Sequence, residues 1–375
     1  MSDFFQYESE SGAYAKKILV IPNITNSGNI EADSFVDVLC NHINKLKKYN
    51  NYFWHVLVPK NNTVRKLNLP NVLQHEVLIS GDMIKMRTYC PDLNNLLETL
   101  DYDVIYSHLP DWPQIGRYKK SFETKIVGYC HWWELKTSNA EDRKNKWRWL
   151  PVELLGVSQM SVCYLNTQDQ KNRVLKEASE LFNDNFVSKL DTILKVWNLG
   201  VPKEKILKEP VSEKENVIVF NHRAAAYKGF PKFLELMAEY RDIRQDFTVW
   251  VPQLKENPPF LWIDNQKFPK HEYYKKLQRC KVGVQMRQSN YGWSVSATDC
   301  LMNGTPMIYQ DSLCYREIEP DGLFFKKKSD FFKLLDSILD DASFRKDREI
   351  KSIKRSNELF ENEEKMIEDL NSNLF

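Results

Sequence analysis

Two positively charged side chains lie in the stretch FNHRAAAYKGF, residues 220–230. The guanidinium of Arg223 can form paired hydrogen bonds to phosphate oxygens, and Lys228 adds a compact point charge. The apolar run before the loop, 217–220, predicts a strand, and Pro231 suits the first turn of a following helix. Ligands bind beyond the carboxyl ends of parallel strands, and helix N-termini attract anions. The stretch therefore indicates a diphosphate site, with two solvated loop cations as the alternative.

A second stretch, YGWSVSATDCLMNGTPMIY (291–309), predicts a helix over 295–302. Gly304 suits the position just after that helix, and Pro306 precedes the next strand. Asp299 lies in the later part of the helix, where the helix macrodipole disfavours an acid. A carboxylate on this rim can accept hydrogen bonds from ribose hydroxyls. The alternative is a surface aspartate paired with a neighbouring cation.

Together the two stretches resemble the retaining nucleotide-sugar glycosyltransferases of the two-Rossmann-domain (GT-B) fold. In that group an Arg-x4-Lys-Gly loop follows a strand, and Glu-x7-Glu and Gly-Thr-Pro come later. Here the first motif stands as Arg223, Lys228 and Gly229, and the last as Gly304, Thr305 and Pro306. The second acid of the pair corresponds to Asp299. The first corresponds to Tyr291, which departs from the family's glutamate.

This resemblance implies a donor site for a nucleotide diphosphate sugar, with UDP-sugar as the expected co-substrate. Arg223 and Lys228 would neutralise the departing diphosphate, so no metal or other cofactor is expected. Asp299 would hold the ribose. The donor-binding loop would comprise Tyr291, Gly292, Trp293 and Ser294. The implied reaction retains the anomeric configuration, because the acceptor hydroxyl attacks on the face that the diphosphate leaves.

The resemblance extends to the first half of the chain. Gly28, in TNSGN (25–29), resembles the glycine of the loop over which donor and acceptor meet. VGYCHWWE resembles the strand-end histidine motif of the group, so His131 is expected beside the reacting carbon. Glu134 would help to position the sugar or the acceptor. A purely structural histidine is the alternative for His131.

Composition limits the class of protein. The chain of 375 residues is long enough for two domains, and 42% hydrophobic with 28% charged residues is typical of a soluble globular protein. A net charge of +2 indicates no general affinity for nucleic acid or anionic membranes. Seven cysteines without a C-x-x-C pair suggest neither a disulfide framework nor a zinc cluster. We find no signal peptide or membrane-spanning run and expect a cytoplasmic protein.

Apolar runs alternate with amphipathic stretches, which predicts an α/β fold of two Rossmann-like domains (GT-B) facing each other across a cleft. Strands are predicted at 16–24, 52–59, 76–80, 103–108, 125–131, 154–159, 192–202, 217–220, 246–252, 281–286 and 306–310. Helices are predicted at 31–49, 92–100, 168–182, 231–240, 271–279, 295–302 and 329–340. The predicted domains are 1–202 for the acceptor and 215–340 for the nucleotide sugar, joined by a linker at 203–214. Residues 341–375 are predicted to be helical, with two alternatives: a helix that crosses back to the first domain or a solvated surface helix.

The acceptor is indicated less directly. Residues 117–148 carry nine Lys or Arg against four Asp or Glu, interleaved with tryptophans. Cations beside aromatic rings suit phosphate backbone and exposed bases, and the alternative is a solvated loop whose tryptophans lie partly in the core. The chain is also similar in style to phage glycosyltransferases that modify hydroxymethylated pyrimidines in DNA, so duplex DNA with modified bases is the favoured acceptor. The residues expected to bind it are Lys136, Arg143, Lys144, Lys146 and Arg148.

Two other functions stay open at this level. One is a bacterial glycosyltransferase that builds a surface polysaccharide or a lipid-linked glycan. The other is a binding protein or epimerase that grips a nucleotide sugar without transferring it, which the departure at Tyr291 favours. The DYD triplet (101–103) has metal-binding spacing, but it suits a turn leading into a strand better. His108, at the end of that strand, is expected to be structural. The sequence indicates no oligomeric state.

Overall fold

The structure is a computed structural model that describes residues 16–22, 34–46, 52–59, 72–77, 102–111, 124–131, 133, 135, 150–287 and 292–374. The chain divides into two compact units. Unit 1 comprises residues 1–166, 171–197 and 365–375, and unit 2 comprises residues 167–170 and 198–364. Each unit is built on its own parallel sheet.

In the described part of unit 1, seven strands form a parallel sheet in the order β3-β2-β1-β4-β5-β6-β7. The strands are β1 Lys16–Ile21, β2 Tyr52–Pro59, β3 Val72–Val77, β4 Val104–Ser107, β5 Lys125–Tyr129, β6 Val162–Leu165 and β7 Leu194–Val196. The helices are α1 Ser34–Leu46, α2 Leu150–Val157, α3 Gln168–Ser179, whose first residues belong to unit 2, and α4 Asp184–Ile193. Apolar strand residues such as Leu19 and Ile105 belong to the same buried cluster as Leu154 of α2 and Leu190 of α4.

One predicted strand in this unit is wrong. Residues 154–159 were expected to be extended, but Leu150–Val157 form helix α2, and the strand of this region is Val162–Leu165. Leu150, Leu154 and Val157 are buried, which is the i, i+4, i+7 spacing of one helix face. Short apolar runs fit either a buried strand or a buried helix, so periodicity did not separate the two here.

In the described part of unit 2, six strands form a parallel sheet in the order β10-β9-β8-β11-β12-β13. The strands are β8 Glu215–Val219, β9 Thr248–Trp250, β10 Ile263–Asp264, β11 Cys280–Gln285, β12 Met307–Gln310 and β13 Leu323–Phe325. The helices are α5 Phe230–Ile243, α6 Lys270–Arg279, α7 Val295–Met302, α8 Leu313–Ile318, α9 Lys328–Asp340 and α10 Ala342–Leu374. Ile218 and Val282 pack against Phe233 of α5 and Phe331 of α9.

The C-terminal segment is one continuous helix, α10. Within unit 2 its Arg355 donates to the carbonyls of Ile318 at 2.7 Å and Glu317 at 2.8 Å. These carbonyls lie at the C-terminal end of α8, where the helix leaves them without intrahelical partners. Residues 365–375 belong to unit 1, where Asp369 accepts from the hydroxyl of Tyr164 at 2.6 Å. None of the described helices is long and apolar enough to cross a membrane.

Candidate functional site

The candidate site lies at the carboxyl edge of the unit 2 sheet. The chain builds β8, β9 and β10 outward in one direction and then returns to place β11 on the other side of β8. Strands β8 and β11 are therefore the point at which the strand order reverses, with Val219 paired to Gly283. In open parallel sheets the loops that leave such a pair diverge and form a crevice for ligands. The first loop is residues 220–229, and the described residues of the second are 286, 287 and 292–294.

The first loop carries the two predicted cations. After β8 the chain makes a single 3₁₀ turn, Ala226–Lys228, and helix α5 begins at Phe230 with a proline in its first turn, as predicted. Lys228 exposes only 8% of its surface, whereas Arg223 is exposed. The guanidinium of Arg223 donates to the hydroxyl of Tyr227 at 3.5 Å. One cation is thus held inside the loop, and the other is at its surface.

Gly229 joins the 3₁₀ turn to α5, and its backbone explains why the motif ends in glycine. Its φ of 75° lies in the left-handed region, which is costly for residues with a Cβ atom. A Cβ atom added at this position would lie 2.5 Å from Cβ of Met286, the first residue after β11. The two loops therefore approach each other closely at this point.

Burial and charge act together on Lys228. Removal from water, which disfavours the ammonium form, and the nearby positive charge of Arg223 together lower the pKa of Lys228 to about 7. Cys314 acts weakly in the opposite direction. The Nζ atom lies 5.2 Å from the centre of the Tyr227 ring. A buried cation of this kind gains from any anion that enters the crevice.

The second loop leads into helix α7. Ser294 is the N-cap, and its hydroxyl accepts from the backbone N–H of Ala297 at 3.3 Å. Gly292, Trp293 and Ser294 are all buried. The helix spans the predicted residues 295–302 and is followed by Gly304 with a φ of 63°, which confirms the expected left-handed residue after its C-terminus.

A polar cluster connects the two loops, and sequence reasoning missed most of it. Asn221, just after β8, donates to the hydroxyl of Tyr273 at 2.9 Å and to the carbonyl of Ser296 at 2.7 Å. Tyr273 in turn donates to Asp299 at 3.3 Å. Gln285 at the end of β11 donates to the hydroxyl of Ser296 at 3.2 Å. Polar residue types at strand ends were the available signal for Asn221 and Gln285.

The structure thus places Arg223, Lys228, Gly292, Trp293, Ser294 and Asp299 on loops or helices that follow β8 and β11. Several predicted site residues lie outside the described residues, so their placement stays a prediction. These are Gly28, Glu134, Tyr291, Lys136, Arg143, Lys144, Lys146 and Arg148.

His131 lies in unit 1, two residues after β5. It is buried, and this burial holds the pKa of His131 well below its usual value, with a further lowering from His108. His108 follows β4, the strand beside β1 at which the strand order of this sheet reverses. Burial lowers the pKa of His108 to about 3. Both imidazoles are therefore neutral near pH 7 and can act as hydrogen-bonding groups rather than as cations.

The described residues contain no group of three or more His, Cys, Asp or Glu side chains that could hold a metal ion. Asp103 of the DYD triplet accepts from the backbone N–H of Lys17 at 2.8 Å, next to the start of β4. Asp103 therefore has the structural role that the sequence favoured for this triplet, in a turn leading into a strand.

Comparisons with known proteins establish the fold. No protein-family model and no curated protein sequence matches the chain. Sucrose-phosphate synthase from Thermosynechococcus elongatus is 13% identical with a TM-score of 0.69, covering 96% of this chain and 99% of its own. Anabaena HepE in complex with UDP-glucose is 11% identical with a TM-score of 0.66, covering 95% and 99%. An Escherichia coli trehalose-6-phosphate structure bound with UDP-2-fluoro glucose is 13% identical with a TM-score of 0.67, covering 95% and 99%.

At sequence identities of 11–13%, the comparisons support a conclusion about the fold alone. The match extends over nearly the whole of this chain and of each compared chain. The prediction of two Rossmann-like domains of the GT-B kind is therefore confirmed.

Among the described residues, the two glycines with a left-handed backbone, Gly229 and Gly304, yield a stability prediction. Gly304→Ala meets left-handed strain and a mild contact at 3.3 Å with the side-chain end of Ile353, and we expect a loss of about 1–2 kcal/mol in the free energy of unfolding. Gly229→Ala adds the close approach to Met286, and we expect a further loss of about 1–3 kcal/mol. Urea unfolding of the two variants measures both. Equal losses would contradict the close approach of the loops.

Proposed function

We propose that this protein is a glycosyltransferase that takes a sugar from a UDP-sugar and transfers it to an acceptor hydroxyl with retention of configuration. The observation that carries the proposal is the buried Lys228 with Arg223 in the loop before α5, at the reversal point of the unit 2 sheet. Two cations beside a helix N-terminus suit the diphosphate of a nucleotide. Solved structures of the same fold were determined with UDP-glucose and UDP-2-fluoro glucose, which supports the choice of donor.

In the proposed reaction, the main task of this site is to stabilise negative charge on the leaving group. As the bond between the anomeric carbon and the phosphate oxygen breaks, its electron pair moves to the departing diphosphate. The acceptor oxygen forms the new bond, and its proton passes to the departing phosphate oxygen on the same face. Arg223 and Lys228 would stabilise the charge that develops on the diphosphate, which is the usual source of a large part of such rate enhancement. No step requires a metal ion.

The other donor contacts follow from the resemblance. Asp299 would accept hydrogen bonds from the ribose, and the segment before α7 would contact the sugar or the phosphates. Only the residues from Gly292 onward are described in that segment, so the contact made by Tyr291 stays a prediction. His131 is proposed to contact the reacting sugar or the acceptor as a neutral imidazole, in keeping with its lowered pKa.

For the acceptor we propose a hydroxymethylated pyrimidine in DNA, on the strength of the basic, tryptophan-rich residues 117–148. Sugar phosphates are the second candidate, because one neighbour of the same fold is a sucrose-phosphate synthase.

The functional test is to incubate the protein with labelled UDP-glucose and related nucleotide sugars, together with hydroxymethylated DNA, sugar phosphates or lipid acceptors. We expect turnover that requires a nucleotide sugar and an acceptor, and label in DNA that decreases steeply with added salt. Transfer to a sugar phosphate or a lipid would keep the transferase and replace the acceptor. Binding of nucleotide sugars without transfer or hydrolysis would contradict the transferase.

The diphosphate role of the two cations can be tested separately. Arg223→Ala and Lys228→Ala should each lower kcat/KM by about 10²–10³-fold, or about 3–4 kcal/mol, because each removes charge stabilisation from the departing diphosphate. Lys232→Ala is the matched control, since this exposed cation on α5 pairs with Glu235 at 2.6 Å. Steady-state kinetics with the active donor measures all three. Wild-type rates in the first two variants would remove the proposed site.

The lowered pKa of Lys228 predicts a pH dependence. Lys228 has to be protonated to attract the diphosphate, and its pKa of about 7 means that the empty site loses this proton as the pH rises above 7. UDP affinity should then fall by up to about tenfold per pH unit between pH 7 and 9, a range in which the nucleotide phosphates are already ionised. Lys228→Arg keeps its charge and should bind UDP with a nearly constant Kd. Calorimetric titrations across this range would contradict the mechanism if both proteins declined equally.

A further inference from the structure

Tyr273 lies on α6, away from the motifs that the sequence marks, yet its hydroxyl contacts both the first loop and helix α7 of the candidate site. It accepts from the amide Nδ2 of Asn221 at 2.9 Å and donates to Oδ2 of Asp299 at 3.3 Å. Asn221 precedes the two cations in the loop after β8, and Asp299 lies on α7. One phenol group therefore connects the loop assigned to the diphosphate with the acid assigned to the ribose.

The direction of these hydrogen bonds is determined by what each group can donate. The Asn221 amide has two N–H groups, and both have acceptors: the Tyr273 oxygen and the carbonyl of Ser296 at 2.7 Å. Its Oδ1 atom accepts from Gln285 at 3.4 Å. The single hydroxyl proton of Tyr273 is then left for Asp299, whose carboxylate can only accept when ionised.

The surroundings of Tyr273 keep it a donor. Burial, and then the charge of Asp299, hold the pKa of Tyr273 well above its usual value, so the hydroxyl keeps its proton near neutral pH. An ionised carboxylate offers about four acceptor positions. The bond from Tyr273 orients the carboxylate through Oδ2.

We propose that Tyr273, held by Asn221, is a positioning residue for the donor nucleotide: it fixes the carboxylate of Asp299 in the orientation that receives the ribose hydroxyls. This inference rests on the proposed function, in which Asp299 binds the ribose. It adds a residue on a third element, α6, to the two loops that the motifs define, and it makes ribose recognition depend on the loop that carries Arg223 and Lys228.

Tyr273→Phe tests the hydroxyl by itself, because the ring that packs against Trp250 at 5.7 Å between centroids is kept. The probes are UDP and 2′,3′-dideoxy-UDP, and the measurement is the Kd of each by calorimetry. We expect the variant to bind UDP about tenfold more weakly than wild type and to bind the dideoxy nucleotide within about twofold of wild type. The penalty should appear only when ribose hydroxyls are present.

Tyr274→Phe, the neighbouring residue on the same helix, is the control and should leave both Kd values unchanged. A fraction of unfolded protein lowers the binding stoichiometry but not the ratio of the two Kd values, so a stability loss does not imitate the expected result. Equal weakening for both nucleotides would show a general structural role and overturn the inference. Unchanged UDP binding would overturn it as well.

Failure of the underlying function is recognisable in the wild type. If wild-type protein binds neither nucleotide, the proposed donor site is wrong. If it binds both nucleotides equally, the site stands and the ribose contact of Asp299 is wrong. Only a wild type that prefers UDP, with a variant that loses the preference, supports the positioning role.

Discussion

The parallel pairing of β8 with β11 is the constraint on which the candidate site depends. These strands are about sixty residues apart in the sequence, yet Val219 lies beside Gly283 in the sheet. Because both strands run in the same direction, their carboxyl ends and the helices that follow are brought to one edge. The crevice is therefore a product of sheet topology, and its chemistry depends on which residues the two loops carry.

The described residues of the two loops make close contacts and hydrogen bonds at this edge of the sheet. Gly229 takes a left-handed conformation within reach of Met286, and the N-cap Ser294 orders the start of α7. Asn221, in the loop after β8, donates a hydrogen bond to the carbonyl of Ser296 in the first turn of α7. Buried polar groups are costly unless their hydrogen bonds are made, so a cluster in which each amide and hydroxyl finds a partner restricts the arrangement strongly.

Charge at the site is unevenly distributed. Lys228 is buried beside a like charge, and this arrangement costs free energy in the empty protein, as its lowered pKa records. Arg223 stays in contact with solvent. An anion that binds beside Lys228 would relieve this unfavourable charge interaction, and a doubly charged anion would relieve it most. The cost in the empty site therefore favours the binding of dianions. The neutral, buried histidines of unit 1 offer hydrogen bonds instead of charge.

Much of this architecture could be predicted from local pattern. The helix over 295–302 and the strand over 52–59 appear with the predicted bounds, and Pro231 and Gly304 mark helix ends as expected, because capping and backbone conformation are local properties. Short apolar runs were less informative: 154–159 proved helical, and the two-residue strand β10 was missed. Its pairing with β9 is what makes it a strand.

The sequence by itself determined the alternation of strands and helices, the two cations and Asp299, because residue type and spacing along the chain are enough for these. Tertiary structure alone decided that Asn221, Gln285 and Tyr273 join them. Hydrogen bonds between residues 52 and 64 positions apart depend on strand order and helix packing, which no local pattern records.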